Sequence, residues 1–301
     1  AFIEARLDRL DGIFITHAHE DHIGALGHLY GRLGAPIFCR KFTGAVARAK
    51  IEERGHDIDS VEVVGVWPEQ VKLGALKIGF MPVSHSIPEA SGLVIDSPLG
   101  RIVHTGDFKL DPDPIVGEAY NPALYREIAT SGVQALVCDS TNVFSQKAGQ
   151  SEASLGPHIT KMIKDASGMV VATTFASNVA RLKTLAQAGV DSGRSVVVLG
   201  RAMKKMLSYA NFAGMIDDFP AIIDVDDAHD IPRENLMLLV TGSQGERRAA
   251  SAQLSKGKYL GLSMREGDTF LFSSNLAPKQ PPPRLTQGLG FWGLGMRQEG
   301  G

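Results

Sequence analysis

The chain has 301 residues, 44% of them hydrophobic and 21% charged, enough to bury a real core and to exclude a chain disordered throughout. With 31 Lys and Arg against 33 Asp and Glu the formal net charge is −2, which excludes a uniformly basic coat for nucleic acid but leaves room for a local basic groove. The only cysteines, Cys39 and Cys138, cannot build a disulfide framework, and no apolar run approaches the ~18 residues that span a bilayer, so a reducing, cytoplasmic setting without a membrane partner is expected.

Residues 11–16, DGIFIT, form a β-branched and aromatic run that predicts a buried strand. A loop rich in His and Asp follows, then a helix near 23–33, a strand over 37–40 and a polar helix over 43–54 that stops at Gly55, a good residue to follow a helix end. Residues 61–110 read as β, with turns near Gly74 and at 97–100 that suggest antiparallel hairpins. A helix is expected over 122–131 and another apolar strand over 134–139.

From about residue 150 one design repeats three times. MVVATTF (169–175), SVVVLG (195–200) and LMLLVTG (236–242) each run through a small-residue turn into a helix. Strand, turn and helix in alternation predict a parallel sheet with helices on its faces. A boundary therefore falls near residue 145, between a mixed β-rich part and an α/β part. Residues 276–301 hold six Gly and four Pro without a usable period, and are expected to be an unstructured tail.

The strongest chemical signal is His17-Ala18-His19-Glu20-Asp21-His22, directly after a predicted strand. In extended backbone His17 and His19 point the same way, because side chains alternate with a period of two. Asp21 and His22 follow as the chain turns into a helix and can aim at a second point close by. Imidazole with carboxylate suits zinc, and also manganese or iron. His85 in PVSHS and Asp107 in HTGDF sit at two further strand ends. A carboxylate such as Asp107 can bridge two cations, which a neutral imidazole cannot. His104 is a candidate to hydrogen-bond a ligand, and His28, His56, His158 and His229 read as ordinary histidines.

These motifs, in this order, resemble the metallo-β-lactamase superfamily. Asp139-Ser140-Thr141-Asn142, Thr174-Phe175-Ala176-Ser177-Asn178 and Thr241-Gly242-Ser243-Gln244-Gly245-Glu246 narrow the resemblance to its β-CASP branch, and most of all to bacterial ribonuclease J, over roughly residues 8–274. The resemblance implies an α/β fold. A partial αββα-type sandwich over 1–145, without its opening strands, would carry an inserted β-CASP parallel-sheet domain over 146–275. It also implies two zinc ions, with manganese as the alternative: His17, His19 and His85 on one, Asp21 and His22 on the other, and Asp107 bridging. Asp139 falls where the branch has an acidic residue near the site, so Asp21, Asp107 and Asp139 are the catalytic candidates. The family's second ion gains a further histidine from a later segment, and this chain has none after His229. A truncated and weakly active product is therefore expected.

The implied chemistry is hydrolysis of single-stranded RNA, as a 5′-to-3′ exonuclease with endonuclease action as a second mode, in RNA processing and turnover. Homo-oligomers belong to the complete family protein. Helix N-termini after parallel strands offer free N–H groups and a positive dipole end, which suits phosphates. Ser177, Asn178, Gly200, Arg201, Gly242, Ser243 and Gly245 are the phosphate-binding candidates on that ground. Two other readings compete: a small-molecule hydrolase of the β-lactamase type, and an inactive paralogue that binds RNA. DNA as substrate also stays open.

Overall fold

In the computed structural model, residues 2–146, 149–242, 249–255, 257, 259–273 and 290–293 are described. The chain divides into two compact units, Ala1–Ser151 with Tyr209–Met215, and Glu152–Ser208 with Ile216–Gly301.

The first unit opens with a short 3-10 turn, Glu4–Arg9, and the strand β1 (Ile13–Phe14). The helices α1 (Glu20–Ile23) and α2 (Leu26–Leu33) follow, where the sequence predicted one helix near 23–33. Next come β2 (Ile37–Cys39), α3 (Lys41–Glu52) and β3 (Val61–Val63). Strands β1, β2 and β3 make a parallel sheet in that order. The second sheet is built from β4 (Val71–Leu73), β5 (Leu76–Pro82), β6 (Ser91–Ser97) and β7 (Gly100–His104). After α4 (Pro122–Ala129), β8 (Ala135–Val137) joins its edge. Strands β4 to β7 pair antiparallel, with hairpin turns at both places the glycines indicated, and β8 pairs parallel to β7. Phe38, Val64, Ile78, Phe80 and Leu93 pack into one buried cluster that joins the two sheets. The edge strand is different: Leu136 is 62% and Val137 50% exposed, and no described strand lies on its outer side.

The second unit adds a helix that the sequence reading missed, α5 (Gly156–Lys164), which buries Ile159 and Ile163. It then follows the repeated design: β9 (Val170–Thr173), α6 (Val179–Val190), β10 (Ser195–Leu199), α7 (Arg201–Ala213), β11 (Leu236–Val240), α8 (Ala250–Ser255) and β12 (Thr269–Phe272). The sheet runs β10-β11-β9-β12, every pair parallel. Its strands are buried on both faces, as a parallel sheet covered by helices requires. The tail needs a correction. Gly290–Gly293 forms β13, parallel to β12, where no structure was expected; the rest of 276–301 lies outside the described residues. Strand pairing is a backbone property, so a Gly/Pro-rich composition with no period does not announce it.

No described helix is long and apolar enough to cross a membrane.

Candidate metal centre

Chain geometry makes the first motif dense. After β1, Ile15 donates its N–H to Phe38 O, which keeps the backbone extended up to the histidines. At His19 the chain turns: its backbone is still extended (φ −68°, ψ 149°) and its carbonyl accepts from His22 N and Ile23 N, which starts α1. His17 and His19 thus leave the strand on one side, and His22 comes back to them within a single helical turn. The ring centroids of His17 and His22 lie 4.0 Å apart, and those of His17 and His19 4.9 Å apart.

His85 arrives from the loop after β5, and its Nε2 lies 3.1 Å from His19 Nδ1. Asp107 arrives from the turn after β7, its Oδ2 3.3 Å from His22 Nε2 and 4.0 Å from His17 Nε2. That turn depends on glycine. Gly106 has φ +59°, and a Cβ there would sit 2.6 Å from Ser91 O. His104 accepts a hydrogen bond from Gly106 N at Nδ1 (3.0 Å), so it braces the turn rather than joining the cluster.

Two sets of ligand atoms result, His17/His19/His85 and His17/His22/Asp107, each set within 4.8 Å. His17 is in both, yet has one nitrogen to give. Its Nδ1 is held by Thr16 Oγ1 at 3.1 Å, while its Nε2 is fully buried with no hydrogen-bond partner among the described residues. A buried polar atom left bare costs roughly 1–3 kcal/mol unless something binds it, and a cation is what an imidazole lone pair accepts. The donor set therefore fits a metal ion. With His17 Nε2 given to the first set, the second keeps His22 and Asp107. Asp21 belongs to neither set: its side chain is 78% exposed and its Oδ2 lies 3.6 Å from His22 Nε2.

Electrostatics agree. Burial and the neighbouring imidazoles hold His17 down to about 2, and burial with His19 beside it holds His85 down to about 3. Burial lowers His19 as well. These rings stay neutral, the form that ligates. Asp139 sits beyond the end of β8, its N–H donating to Thr105 Oγ1 (3.0 Å). Hydrogen bonds from the hydroxyl and N–H of Thr141, at 2.7 and 2.8 Å, hold its carboxyl below the usual range. It stays ionised at neutral pH, which suits it to orient or stabilise charge better than to accept a proton.

In the second unit, the turns singled out from sequence follow the carboxyl ends of adjacent strands of one sheet. Gly200 (φ +121°) follows β10, Gly242 (φ +120°) follows β11, and Ser177 with Asn178 follow β9. A Cβ on Gly200 would meet Thr241 Cγ2 at 2.7 Å, so these two strand ends approach closely. Arg201 is exposed at the start of α7. Asn178 has a plain structural duty: its Oδ1 accepts from Arg181 N (3.0 Å) and caps α6. Ser243 and Gly245 lie outside the described residues.

Sequence reasoning missed Thr16 and Ser84, which brace the cluster rather than join it; Thr16 Oγ1 lies 3.1 Å from His17 Nδ1. Ser84, buried next to His85, donates to Lys109 O (2.9 Å) and accepts from Asp111 N (3.2 Å), tying the His85 loop to the segment after Asp107. Only their adjacency to predicted ligands could have flagged Thr16 and Ser84.

Comparison with known proteins separates the two units. Residues 2–125 match a family described as a beta-lactamase superfamily domain, and residues 167–281 one described as the ribonuclease J beta-CASP domain. A ribonuclease J of Sinorhizobium meliloti is 37% identical over 278 residues, 92% of this chain and 49% of that protein. Ribonuclease J of Corynebacterium glutamicum is also 37% identical, over 92% of this chain and 38% of its own length. Ribonuclease J2 of Bacillus subtilis is 31% identical over 93% of this chain and 51% of its length. The chain thus spans about half the length of the curated relatives it matches, or less. A crystal structure of a protein of unknown function from Enterococcus faecalis superposes with a TM-score of 0.61 at 16% identity, over 95% of this chain and 69% of that one, and so shares its fold.

Proposed function

This chain belongs to the metallo-β-lactamase superfamily, in its ribonuclease J β-CASP branch, and from that premise we propose that it serves metal-dependent hydrolysis of RNA phosphodiester bonds. The observation that carries the reading is the convergence of His17, His19 and His85 beside His22 and Asp107 around a buried His17 Nε2 that has no partner among the described residues. Zinc is the resident ion by donor chemistry, with manganese as the alternative, because neutral imidazoles with a carboxylate suit both. Bound there, such an ion would lower the pKa of an attacking water and draw off charge from phosphate oxygens.

The chain's own groups do the rest. His17, His19 and His85 form the tighter set, since all three imidazoles are in place and neutral. His22 and Asp107 hold the second position, and Asp21 completes it by turning inward from its exposed rotamer. Asp139 stays ionised, and its hydrogen bonds to Thr141 and Thr105 fix it beside the centre. The turns at Ser177, Asn178, Gly200, Arg201 and Gly242, with Ser243 and Gly245, bind the phosphate backbone of a single strand. Backbone N–H groups and the Arg201 guanidinium recognise phosphate without reading bases. Action from the 5′ end, with internal cleavage as a second mode, is the reading this branch favours.

The test is incubation of the purified, metal-loaded chain with 5′-monophosphorylated single-stranded RNA. The expected outcome is chelator-sensitive release of nucleotides, abolished in Asp107→Ala. Hydrolysis of nitrocefin with RNA left intact would replace this proposal by the small-molecule reading.

A further inference from the structure

The loop that brings in His85 is closed at its base by Val83 N donating to Ala90 O (3.0 Å), and the residue after it is tied to the first motif by Ser91 N donating to Thr16 O (3.0 Å). Near the far end of this loop stands Glu89, a buried carboxylate on a backbone with φ +56°. A non-glycine residue pays strain to sit there, and the surroundings explain what holds it. Its Oε2 accepts from Phe42 N in the first turn of α3, a helix whose own preceding residue, Arg40, supplies no side-chain cap. Its Oε1 faces Arg40 Nη2 at 3.4 Å, and the same guanidinium nitrogen pairs with Glu118 Oε1 at 2.5 Å. A carboxylate at a helix N-terminus meets free N–H groups and the positive end of the dipole. The grip is therefore directional, anchored in a helix that buries Phe42, Val46, Ala47 and Ile51.

We propose that Glu89 is a positioning residue for His85: the first turn of α3 and the Arg40 guanidinium grip its buried carboxylate, and that grip sets the loop that aims the His85 imidazole at His19. Only three residues separate Glu89 from His85. A one-ångström slip of the loop would open the 3.1 Å approach of His85 Nε2 to His19 Nδ1, on which the first ligand set depends. Groups that orient a ligand in this way typically govern metal affinity by 10–100-fold. The role rests on the metal-centre reading above.

The experiment compares the parent chain with E89G and E89Q, by zinc affinity in chelator competition and by the visible absorption bands of cobalt(II) in the same site. Glycine accepts φ +56° without strain, so E89G removes the carboxylate without penalising the backbone. It is expected to bind zinc about 10–100-fold more weakly, with altered cobalt bands. E89Q keeps an acceptor for Phe42 N but loses its charge toward Arg40, and is expected to fall between the two, a few-fold below the parent. That graded order is a ligand-orientation readout that fold stability alone does not produce. If E89G fails to fold by circular dichroism, E89Q decides, and a parent-like affinity and spectrum there overturn the role. A parent chain that takes up neither zinc nor cobalt overturns the metal-centre reading and this role with it. A parent that binds both while a folded E89G matches it overturns the role of Glu89 alone.

Discussion

Removing metal and lowering the pH should destabilise this protein by a calculable amount. His17 and His85 are held down to about 2 and about 3 in the folded chain, against an ordinary value of 6.5. Because the folded values are depressed, the associated stability is fully present above pH ~6.5 and is lost as pH falls, since the unfolded chain takes up protons that the folded one refuses. Near pH 5, each unfolded imidazole lies ~1.5 units below its midpoint, so each removes ~2 kcal/mol at ~1.4 kcal/mol per unit. The pair removes ~4 kcal/mol, a large part of the ~5–15 kcal/mol of an ordinary domain. Urea unfolding in excess chelator, followed by near-ultraviolet circular dichroism, measures it. This pair should account for a drop of ~4 kcal/mol between pH ~8 and pH ~5, and a His17→Leu variant should abolish about half of that contribution. Zinc should restore stability in the parent, because a ligand that binds only the folded state raises it. A metal-free parent whose stability is flat across this range would show that these imidazoles are not excluded from protons, and the reasoning from burial would fall.

Other outcomes follow from single contacts. Asp107→Asn should lose the weaker metal equivalent and keep the stronger one in elemental analysis after dialysis; loss of both would mean that the two sets are not separable. Gly106→Ala places a Cβ 2.6 Å from Ser91 O at φ +59°, so it should displace Asp107 and reproduce that loss, whereas full metal occupancy in a folded variant would show that the turn can yield. Arg201→Glu should weaken RNA of any sequence alike and reduce the salt slope of binding by about one, with metal content unchanged; fluorescence anisotropy at two salt concentrations that finds parent-like binding would remove Arg201 from the phosphate contacts. Asn178→Ala should cost ~1 kcal/mol in thermal unfolding through the lost cap of α6, and an unchanged melting temperature would count against that cap.

The parts of the fold with a plain local signature were legible. VVAT, SVVVL and LMLLV are continuous apolar strands flanked by turn residues, and the parallel sheet follows from them. The hairpins at Gly74 and Gly100 follow from glycine at positive φ. The clustering of His17, His19, His22, His85 and Asp107 was legible because three of them share one short motif and the other two stand at strand ends. What escaped lies in contacts between distant parts of the chain. Glu89 looks like a surface acid until Phe42 N, 47 residues away in sequence in the first turn of α3, donates to it. Ser84 looks like a turn residue until Lys109 and Asp111 arrive. Helix α5 was missed because GPHITKMIK is short and begins with Gly-Pro, and its apolar face shows only once Ile159 and Ile163 are seen buried. The motif places Asp21 beside the cluster, 3.6 Å from His22 Nε2, while the outward rotamer of its side chain is a choice that spacing cannot fix.

Strand β8 also bears on how the purified protein will behave at the bench. Among the described residues no strand pairs with the outer side of its backbone ladder, and Leu136 and Val137 are largely exposed. An apolar strand with an open ladder is a template on which another chain can add. Concentrated samples should therefore build strand-paired oligomers whose size grows with protein concentration, visible in light scattering before any loss of secondary structure. A charged side chain at the same place opposes such pairing, which makes Leu136→Lys the first substitution to try when preparing the chain for crystallisation or solution spectroscopy.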